Sequence, residues 1–332
     1  MTKLPRVWLL IGRRRGDNNQ VLALGEALGT PFETRAMFYK WTARLRMKLW
    51  SESVGHLTPS SRRWLRPPWP DLVIGIGRRT VPVARWIQKQ NGGRTRIVRL
   101  GHPRAPSNLF DLVITTRQYP VPPGENVLTL PLAMNRFREP PTPAPDEQAW
   151  LDAHPRPHLL LSLGGTAPMW RLDLNALGDA AGKLARRARK SGGTLIVIGS
   201  PRTPPEAWTV IREATAGNRR VAIVEGSSIR YSVALNDADE HFVTADSVSM
   251  ISEAVFTGKP VGLISVKPDA RGRRRFGPDP QKSRVRDPRR FWADVQERGL
   301  VGTVDEPKRG KVDDPVETAV AAVRARLGSL FE

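Results

Sequence analysis

The sequence predicts an α/β protein made of two consecutive doubly wound, Rossmann-like domains. Its 332 residues suit two domains at about 150 residues each. In both halves, short apolar runs typical of buried strands alternate with amphipathic stretches typical of helices. Because this alternation favours a parallel sheet covered by helices on both faces, we expect one such sheet in each half and a cleft between the two domains.

A proline-rich stretch divides the halves. Residues 138–157 contain six prolines and no apolar periodicity before Trp150, so we predict a linker stiffened by polyproline. The N-terminal domain is then 1–137 and the C-terminal domain 158–312. The last residues, 313–332, are predicted to form a helix that packs back on the N-terminal domain.

The strands and helices of the two domains follow from apolar runs and from helix start and stop signals. In the first half they are predicted at 6–12, 18–28, 72–75, 80–90, 97–100 and 112–115. In the second half they are predicted at 159–163, 174–190, 194–199, 221–224, 241–244, 247–257, 261–265 and 314–330. Thr80 and Ser247 are the expected N-caps of their helices, and Gly258 follows the end of the second one.

Charge and cysteine content exclude several classes. The 53 Lys and Arg against 32 Asp and Glu give a net charge of +21, which favours an anionic partner such as nucleic acid or a membrane surface. The absence of cysteine excludes a disulfide scaffold, thiolate metal sites and a Cys nucleophile. With no apolar stretch near the roughly 20 residues of a spanning helix, and no cleavage site after 1–12, we expect a cytoplasmic protein, soluble or peripheral.

Three loops of the second half follow predicted strands and carry residues suited to an anion. Glycine backbones approach phosphates closely, and hydroxyl or guanidinium groups bind them. The candidates are Gly164, Gly165, Thr166, Ser200, Arg202, Thr203, Asp246, Ser247 and Ser249. Glu253, on the helix that follows, offers two carboxylate oxygens that match a ribose diol. A plain strand-to-helix turn explains each loop equally well, and a solvated helix residue explains Glu253.

Two loops of the first half combine glycines, cations and a helix start. They supply the candidates for an anionic acceptor, which are Gly12, Arg15, Gly16, Asn18, Gln20, Gly77 and Arg78. Neither loop has the dinucleotide or Walker spacing, and a solvated loop is the alternative. Asp17 and His102 are candidate catalytic bases, although a histidine in a Pro turn is more often structural. We expect no metal site, because prolines interrupt the His154–His158 pair and no D-x-D pair ends a strand.

Two basic segments are ambiguous. Residues 39–50 interleave aromatic and basic side chains, which suits either a helix on anionic lipid or an ordinary helix of the fold. Residues 267–290 hold ten Lys and Arg and four prolines without periodicity, which predicts a mobile loop. That loop is either a solvated charge run or a lid over phosphates.

Several blocks resemble the mitochondrial-fission ELM family, which has many bacterial members. The most specific is VTADSVSMISEAVFTGKPV at 243–261, and IGRRRGDNNQVLALGEALG, PDLVIGIGRRT, FDLVITT and LLLSLGGTAPMW also resemble it in order. The family is similar in layout to GT-B glycosyltransferases. The resemblance implies that the second domain holds a nucleotide-sugar, with the loop candidates above near its diphosphate and nucleotide and Glu253 at its ribose. No other cofactor is implied.

We therefore expect a metal-independent GT-B-type glycosyltransferase acting on a lipid or glycolipid acceptor at the inner membrane face. The alternative is a membrane-associated scaffold that keeps the fold without catalysis. A short-chain epimerase is excluded, because none of the three tyrosines has Lys four residues later. Nucleic acid is disfavoured by dispersed basic residues and the lack of a reader motif. Residues 1–150 carry 24 Lys and Arg against 10 Asp and Glu, two-thirds of the excess, which favours an anionic membrane or lipid-linked acceptor on that side.

Overall fold

The chain folds into two compact units, each built on one parallel sheet. The structure, a computed structural model, describes residues 4–41, 51–135, 140–224 and 228–332. The first unit comprises Met1–Arg136 together with Asp313–Glu332, and the second comprises Phe137–Val312. Within the described ranges, no helix is long and apolar enough to cross a membrane.

The strands and helices are numbered here in chain order. The strands are β1 Val7–Ile11, β2 Phe32–Ala36, β3 Leu72–Ile76, β4 Arg96–Leu100, β5 Leu112–Thr116, β6 Val127–Leu130, β7 His158–Leu163, β8 Trp170–Leu172, β9 Thr194–Gly199, β10 Val221–Ile223, β11 Glu240–Thr244, β12 Val261–Ile264 and β13 Val266–Pro268. The helices are α1 Arg15–Ala27, α2 Pro59–Arg62, α3 Val81–Gln90, α4 Pro145–Asp152, α5 Leu174–Ser191, α6 Pro205–Ala214, α7 Tyr231–Asp237, α8 Val248–Phe256, α9 Ala270–Arg275, α10 Pro288–Glu297 and α11 Pro315–Leu327.

The first unit has a six-stranded parallel sheet in the order β2-β1-β3-β4-β5-β6. Successive side chains of a strand point to opposite faces, so an apolar strand such as β1 contributes to two cores. Leu9 packs with Leu24 of α1 and Val323 of α11 on one face. Trp8 and Leu10 pack with residues of α3 on the other. The C-terminal helix α11 thus completes the core of the first unit.

The second unit has a five-stranded parallel sheet in the order β10-β9-β7-β11-β12, and β8 pairs antiparallel with β13. Leu161 and Val197 pack with Leu177 of α5 and Ile211 of α6 on one face of the sheet. Helices α7 and α8 contact β7 and β11. The predicted fold class, α/β with two doubly wound parallel sheets, is confirmed.

Each sheet has a point at which its strand order reverses. In the first unit this switch point lies between β1 and β3, and in the second between β7 and β11. Ligands of open α/β sheets bind outside the carboxyl ends of the strands at such points, because the two following loops diverge there. Four loops are therefore placed to meet ligands: those after β1 and β3, and those after β7 and β11.

The structure differs from the sequence prediction in several segments. The stretch predicted as a linker contains α4, whose Glu147 side chain accepts a hydrogen bond from the Ala144 amide at 2.8 Å. The segment 267–290, predicted as a loop without structure, contains α9 and the start of α10. Thr80 precedes α3 but its hydroxyl donates to the carbonyls of Ile76 and Gly77 instead of capping the helix. Of the predicted interfacial helix 39–50, residues 42–50 lie outside the described residues.

Candidate functional site

The loops after β7 and β11 are held together by a chain of hydrogen bonds at the switch point of the second unit. The Gly164 amide donates to Thr244 Oγ1 at 2.8 Å, and the Gly165 amide donates to Asp246 Oδ2 at 2.9 Å. Thr244 Oγ1 in turn donates to Asp246 Oδ1 at 2.8 Å. The glycine amides expected to face a phosphate are thus already committed to side chains of the neighbouring loop.

The two glycines are required by close packing at this point. A Cβ added to Gly164 would lie 2.2 Å from Asp246 Oδ1, and one added to Gly165 would lie 2.0 Å from the carbonyl oxygen of Arg202. Both distances are far below van der Waals contact, so a side chain would displace the buried carboxylate or the neighbouring loop. The Gly-Gly pair therefore brings three loops to one place.

The loop after β9 is the third member of this network. Ser200 Oγ donates to the Gly164 carbonyl at 2.9 Å, and Thr203 Oγ1 donates to the same carbonyl at 2.6 Å. The exposed Thr166 donates its amide to the Arg202 carbonyl at 3.4 Å. The structure thus brings together the predicted residues of all three loops, while their contact with a ligand stays a prediction.

Asp246 lies at the centre of the network and is buried. Burial raises the pKa of Asp246, although the Gly165 amide, the Thr244 hydroxyl and Arg202 each favour the charged carboxylate. The Arg202 guanidinium lies 3.5 Å from Asp246 Oδ2, and 47% of its side chain is exposed. Asp246 therefore organises the loops, and Arg202 presents a cation at their surface.

Helix α8 carries the remaining candidates of the second unit. Ser247 caps it, accepting the Met250 amide at 3.4 Å, and Ser249 and Glu253 are half-buried on its first two turns. The pKa of Tyr231 is raised, mainly by burial and further by the nearby Glu253 carboxylate. The Ser162 hydroxyl lies close enough to Tyr231 to oppose part of this rise.

Two residues of this network were missed from the sequence. Thr244 is the last residue of an apolar run. A hydroxyl two residues before Asp246 is only a weak indication of their hydrogen bond. Trp292 lies on α10, 47 residues from the group it binds, and donates Nε1–H to the Ala245 carbonyl at 2.8 Å. It also packs edge-on against Trp170, with ring centroids 5.0 Å apart. No local pattern marks a contact of that separation.

In the first unit, the loops after β1 and β3 lie on the two strands of the switch point. The Asn18 side chain closes the first loop, because its Oδ1 accepts the Gly12 amide and its Nδ2 donates to the Gly12 carbonyl, both at 2.8 Å. Gln20 Nε2 donates weakly to the Gly16 carbonyl at 3.5 Å. Gly77 has a φ of +81°, and Arg78 beside it is exposed. Arg15 begins α1.

A buried arginine lies beneath these loops. Arg99 of β4 donates to the Gly75 carbonyl at 3.1 Å, to Thr80 Oγ1 at 2.9 Å and to the His102 carbonyl at 3.1 Å. Burial lowers the pKa of Arg99 to about 10, against the opposing effects of Tyr119, Tyr39 and Asp17. Among the described residues, no carboxylate pairs with its guanidinium.

The two candidate bases differ in their surroundings. Burial, together with Arg104 and Arg99, lowers the pKa of His102 to about 4. His102 Nδ1 accepts the Arg104 amide at 2.9 Å, so the neutral ring carries its proton on Nε2. The nitrogen that would take a proton is therefore occupied, which argues against His102 as a base. Asp17 lies in the first turn of α1 and is half-buried.

Other groupings do not add a second site. The described residues contain no cluster of three His, Asp or Glu side chains that could hold a metal ion. A cavity of about 590 Å³ is lined by Arg96, Asp111 and Arg326, among others. It lies at the amino ends of β4 and β5, opposite the carboxyl edge where ligands of such sheets bind.

Two Rossmann-like units with a loop network at a switch point define a GT-B-like protein, the fold of several enzymes that use nucleotide-sugars. A UDP-GlcNAc 2-epimerase from Neisseria meningitidis, bound to UDP-GlcNAc, matches with a TM-score of 0.52 at 12% identity and covers 98% of this chain and 100% of its own. The S. aureus MnaA–UDP structure matches with a TM-score of 0.53 at 13% identity over 98% and 97%. Os79 from O. sativa, in complex with UDP, gives 0.52 at 13% over 98% and 94%.

The chain belongs to the mitochondrial fission ELM1 family, because the sequence model of that family matches residues 15–323. Mitochondrial fission protein ELM1 of Arabidopsis thaliana is 29% identical over 287 residues, which are 77% of this chain and 63% of that protein. The chain thus spans less than two-thirds of this relative's length. The uncharacterized protein RP120 of Rickettsia prowazekii (strain Madrid E) is 21% identical over 293 residues, 78% of this chain and 82% of that protein.

The epimerase matches bear on the alternatives weighed from sequence. The exclusion of an epimerase there concerned the short-chain type, which needs a Tyr-Lys pair. The UDP-GlcNAc 2-epimerase from Neisseria meningitidis shares the two-unit fold of this chain instead. The fold alone therefore does not separate sugar transfer from epimerisation.

Proposed function

We propose that the protein is a GT-B-type glycosyltransferase that moves a sugar from a nucleotide-sugar to a lipid or glycolipid acceptor. The network of Gly164, Asp246 and Arg202 at the switch point of the second sheet carries this proposal. It gathers residues from three loops at the edge where α/β sheets bind ligands. The GT-B-like fold, which nucleotide-sugar enzymes share, supports the same function.

The second unit would bind the donor. The Arg202 guanidinium would contact the diphosphate, helped by the positive end of the α8 dipole behind Ser247. Glu253 would accept hydrogen bonds from the ribose hydroxyls. Ser200 and Thr203 would line the nucleotide pocket, and Ser249 would approach the diphosphate or the sugar. Asp246 would act indirectly, since its carboxylate holds Gly165 and Arg202 in position.

The transfer itself would exchange one bond for another at the anomeric carbon. An acceptor hydroxyl oxygen attacks this carbon, and the bond from carbon to the diphosphate oxygen breaks with its electron pair on the diphosphate. The hydroxyl proton passes to a base, for which Asp17 is the remaining candidate of the first unit. We propose that fixed cations and the helix dipole replace a metal ion, so activity would persist in EDTA.

The first unit would bind the acceptor. The loop closed by Gly12 and Asn18 and the loop of Gly77 and Arg78 would contact it, above the buried charge of Arg99. The basic excess of this half would draw the protein to an anionic membrane, which gives a peripheral location on the inner face.

Calorimetry with UDP and GDP tests donor binding. We expect one of them to bind the wild type and Glu253→Ala to weaken that binding about tenfold or more, the loss of charge-assisted hydrogen bonds to the ribose. A protein that binds neither nucleotide, with Glu253→Ala indistinguishable from it, would refute the proposal.

Product analysis separates the remaining functions. A transferase releases nucleoside diphosphate and forms a glycolipid only when lipid extract is present. An epimerase, like the UDP-GlcNAc 2-epimerase from Neisseria meningitidis that shares this fold, would convert UDP-GlcNAc without any acceptor. A scaffold forms no product under either condition, although it still binds membranes.

A further inference from the structure

The basic segment, residues 266–290, leaves the second sheet at its ligand edge. It continues from the carboxyl end of β12, which pairs with β11 through Thr244↔Ile264. β11 is one of the two strands at the switch point, and its carboxyl end leads to Asp246. The basic segment therefore begins beside the candidate donor site, as the order of the strands requires.

Contacts then fix the basic segment to both switch-point loops. β13 pairs with β8, and the Asp269 amide donates to the Met169 carbonyl at 3.1 Å, just beyond the loop after β7. Phe276 packs against Trp170, with ring centroids 5.1 Å apart. Two residues beyond the far end of the segment, Trp292 of α10 donates to the Ala245 carbonyl next to Asp246. The segment is thus anchored on either side of the network.

The segment is strongly cationic, and of its three acidic residues Asp287 pairs with a cation of the segment, Arg289, at 2.7 Å. It contains ten Lys and Arg against three Asp, a net of +7, which equals the whole net charge of residues 151–332 (29 Lys and Arg, 22 Asp and Glu). Asp269, Asp279 and Asp287 each accept a backbone amide at the start of a helix. The exposed cations are Lys267, which pairs with Asp173, and Arg271, Arg273, Arg274, Arg275, Lys282 and Arg284.

The network itself lacks the groups that would neutralise a diphosphate. The amides of Gly164 and Gly165 are used internally, and the Asp246 carboxylate lies directly beneath the loops. Arg202 supplies one guanidinium, which is shared with Asp246. A nucleoside diphosphate at this edge therefore needs further cations, and arginine suits phosphate oxygens because its planar group donates two parallel hydrogen bonds.

We infer that the arginines of α9 in the basic segment bind the diphosphate of the nucleotide at the carboxyl edge of the second sheet. This inference rests on the proposed donor site and adds a second source of positive charge to it. It decides between the two roles open for this segment from sequence, in favour of phosphate contact over a solvated charge run.

Two charge-matched triple variants test the inference. R273Q/R274Q/R275Q removes three exposed cations of α9. R186Q/R189Q/K190Q removes three exposed cations from the C-terminal half of α5, which runs toward the amino edge of the same sheet. Calorimetry with UDP, GDP and inorganic pyrophosphate as competitor measures binding. We expect the α9 variant to lose about tenfold or more in nucleotide and pyrophosphate affinity, and the α5 variant to bind as the wild type does.

The other possible results contradict either the inference or the proposed function. If the wild type binds UDP or GDP and the α9 variant binds equally well, the inference fails while the proposed function stands. If the wild type binds no nucleotide, the proposed function fails, and the inference fails with it because it rests on the donor site. Equal losses of affinity in both triple variants indicate general electrostatic attraction and overturn the inference.

A conservative variant guards against misfolding. R273K/R274K/R275K keeps the charge but not the paired donors, and we expect it to lose less affinity than the glutamine triple. If the glutamine triple does not fold, Arg274→Gln and Arg275→Gln are measured singly, and unchanged affinity in both overturns the inference.

Discussion

At the scale of single residues, Thr244 illustrates how much of the switch-point loop depends on one hydroxyl. Its Oγ1 accepts the Gly164 amide and donates to Asp246, both at 2.8 Å, and the residue is buried. A buried amide that loses its acceptor costs the full desolvation of the group, whereas most exposed hydroxyls contribute little. Thr244 therefore supports the site through the positions of Gly164 and Asp246.

Thr244→Val should lower the free energy of unfolding by about 1–3 kcal/mol, because it leaves the Gly164 amide without an acceptor and removes one hydrogen bond to Asp246. Thr244→Ser keeps the hydroxyl and should stay within about 1 kcal/mol of the wild type. Urea denaturation of both variants makes the comparison. Equal stability of the valine and serine variants would show that the hydrogen bonds contribute nothing.

The sequence predicts the loops of this site better than their internal contacts. Glycines and hydroxyls directly after apolar runs mark Gly164, Ser200 and Asp246 as neighbours, because parallel strands end at one edge. Their partners cannot be predicted in the same way. The Gly165 amide meets Asp246 from 81 residues away, and a pattern of residue types does not show whether an amide faces a ligand or a side chain.

His158 belongs to a second residue-scale feature, at the amino end of β7. Its Nδ1 lies 2.5 Å from Asp237 Oδ2, and its Nε2 lies 2.7 Å from the His154 carbonyl. Both neighbours are hydrogen-bond acceptors, which favours the form of the ring that carries a proton on each nitrogen. Burial opposes the charged ring, but the Asp237 and His154 hydrogen bonds outweigh it and raise the pKa of His158.

This pair makes stability depend on pH. A raised histidine pKa contributes stability that is fully present below the unfolded value near 6.5 and is lost as the pH rises through the folded value. Asp237→Asn should therefore cost about 1–3 kcal/mol at pH 6 and less at pH 9. Denaturation at both pH values checks this, with Asp305→Asn as the control, since Asp305 forms an exposed ion pair with Lys183. An equal cost at the two pH values would contradict it.

At the scale of elements, apolar strands can be predicted from the sequence, whereas polar strands and helices cannot. The run 194–199 predicts β9 with the bounds that the structure has, because every residue from Thr194 to Ile198 is buried. β2 was missed, since FETRA is an edge strand with its side chains largely exposed. α9, with the sequence ARGRRR, has no apolar face and forms because Asp269 caps it.

Helix α11 packs in the core of the first unit, far in sequence from the other elements of that unit. Val323 is buried in the core of the first unit, whereas Arg326 on the same helix is exposed. Val323→Asn should destabilise the first unit by about 2–4 kcal/mol through a buried unsatisfied amide, and Arg326→Asn should have little effect. Calorimetry that resolves the two units tests this. A loss confined to the unfolding of the second unit would contradict the assignment of α11.

At the scale of the whole molecule, the charge of +21 has two separate concentrations. Residues 1–150 carry two-thirds of it, and the basic segment carries the remainder. In the described part of the first unit, large apolar side chains are also exposed, with Trp41 84%, Trp64 47% and Phe38 43% accessible. Arg63 lies over Trp64 at 5.0 Å. Aromatic and basic side chains together suit the interface of an anionic bilayer.

The protein should therefore bind vesicles that contain phosphatidylglycerol and leave phosphatidylcholine vesicles in solution. Each Lys or Arg near such a surface contributes about 1 kcal/mol, and the attraction weakens as the Debye length falls from about 10 Å at 0.1 M salt to about 3 Å at 1 M. Co-sedimentation at rising salt measures this.

Trp41→Ala with Trp64→Ala should weaken binding at every salt concentration, because the burial of aromatic surface is not screened. The α9 glutamine triple should bind these vesicles nearly as well as the wild type, since its cations are assigned to the nucleotide. Binding that ignores the anionic lipid content would contradict a membrane role for the charge of the first unit.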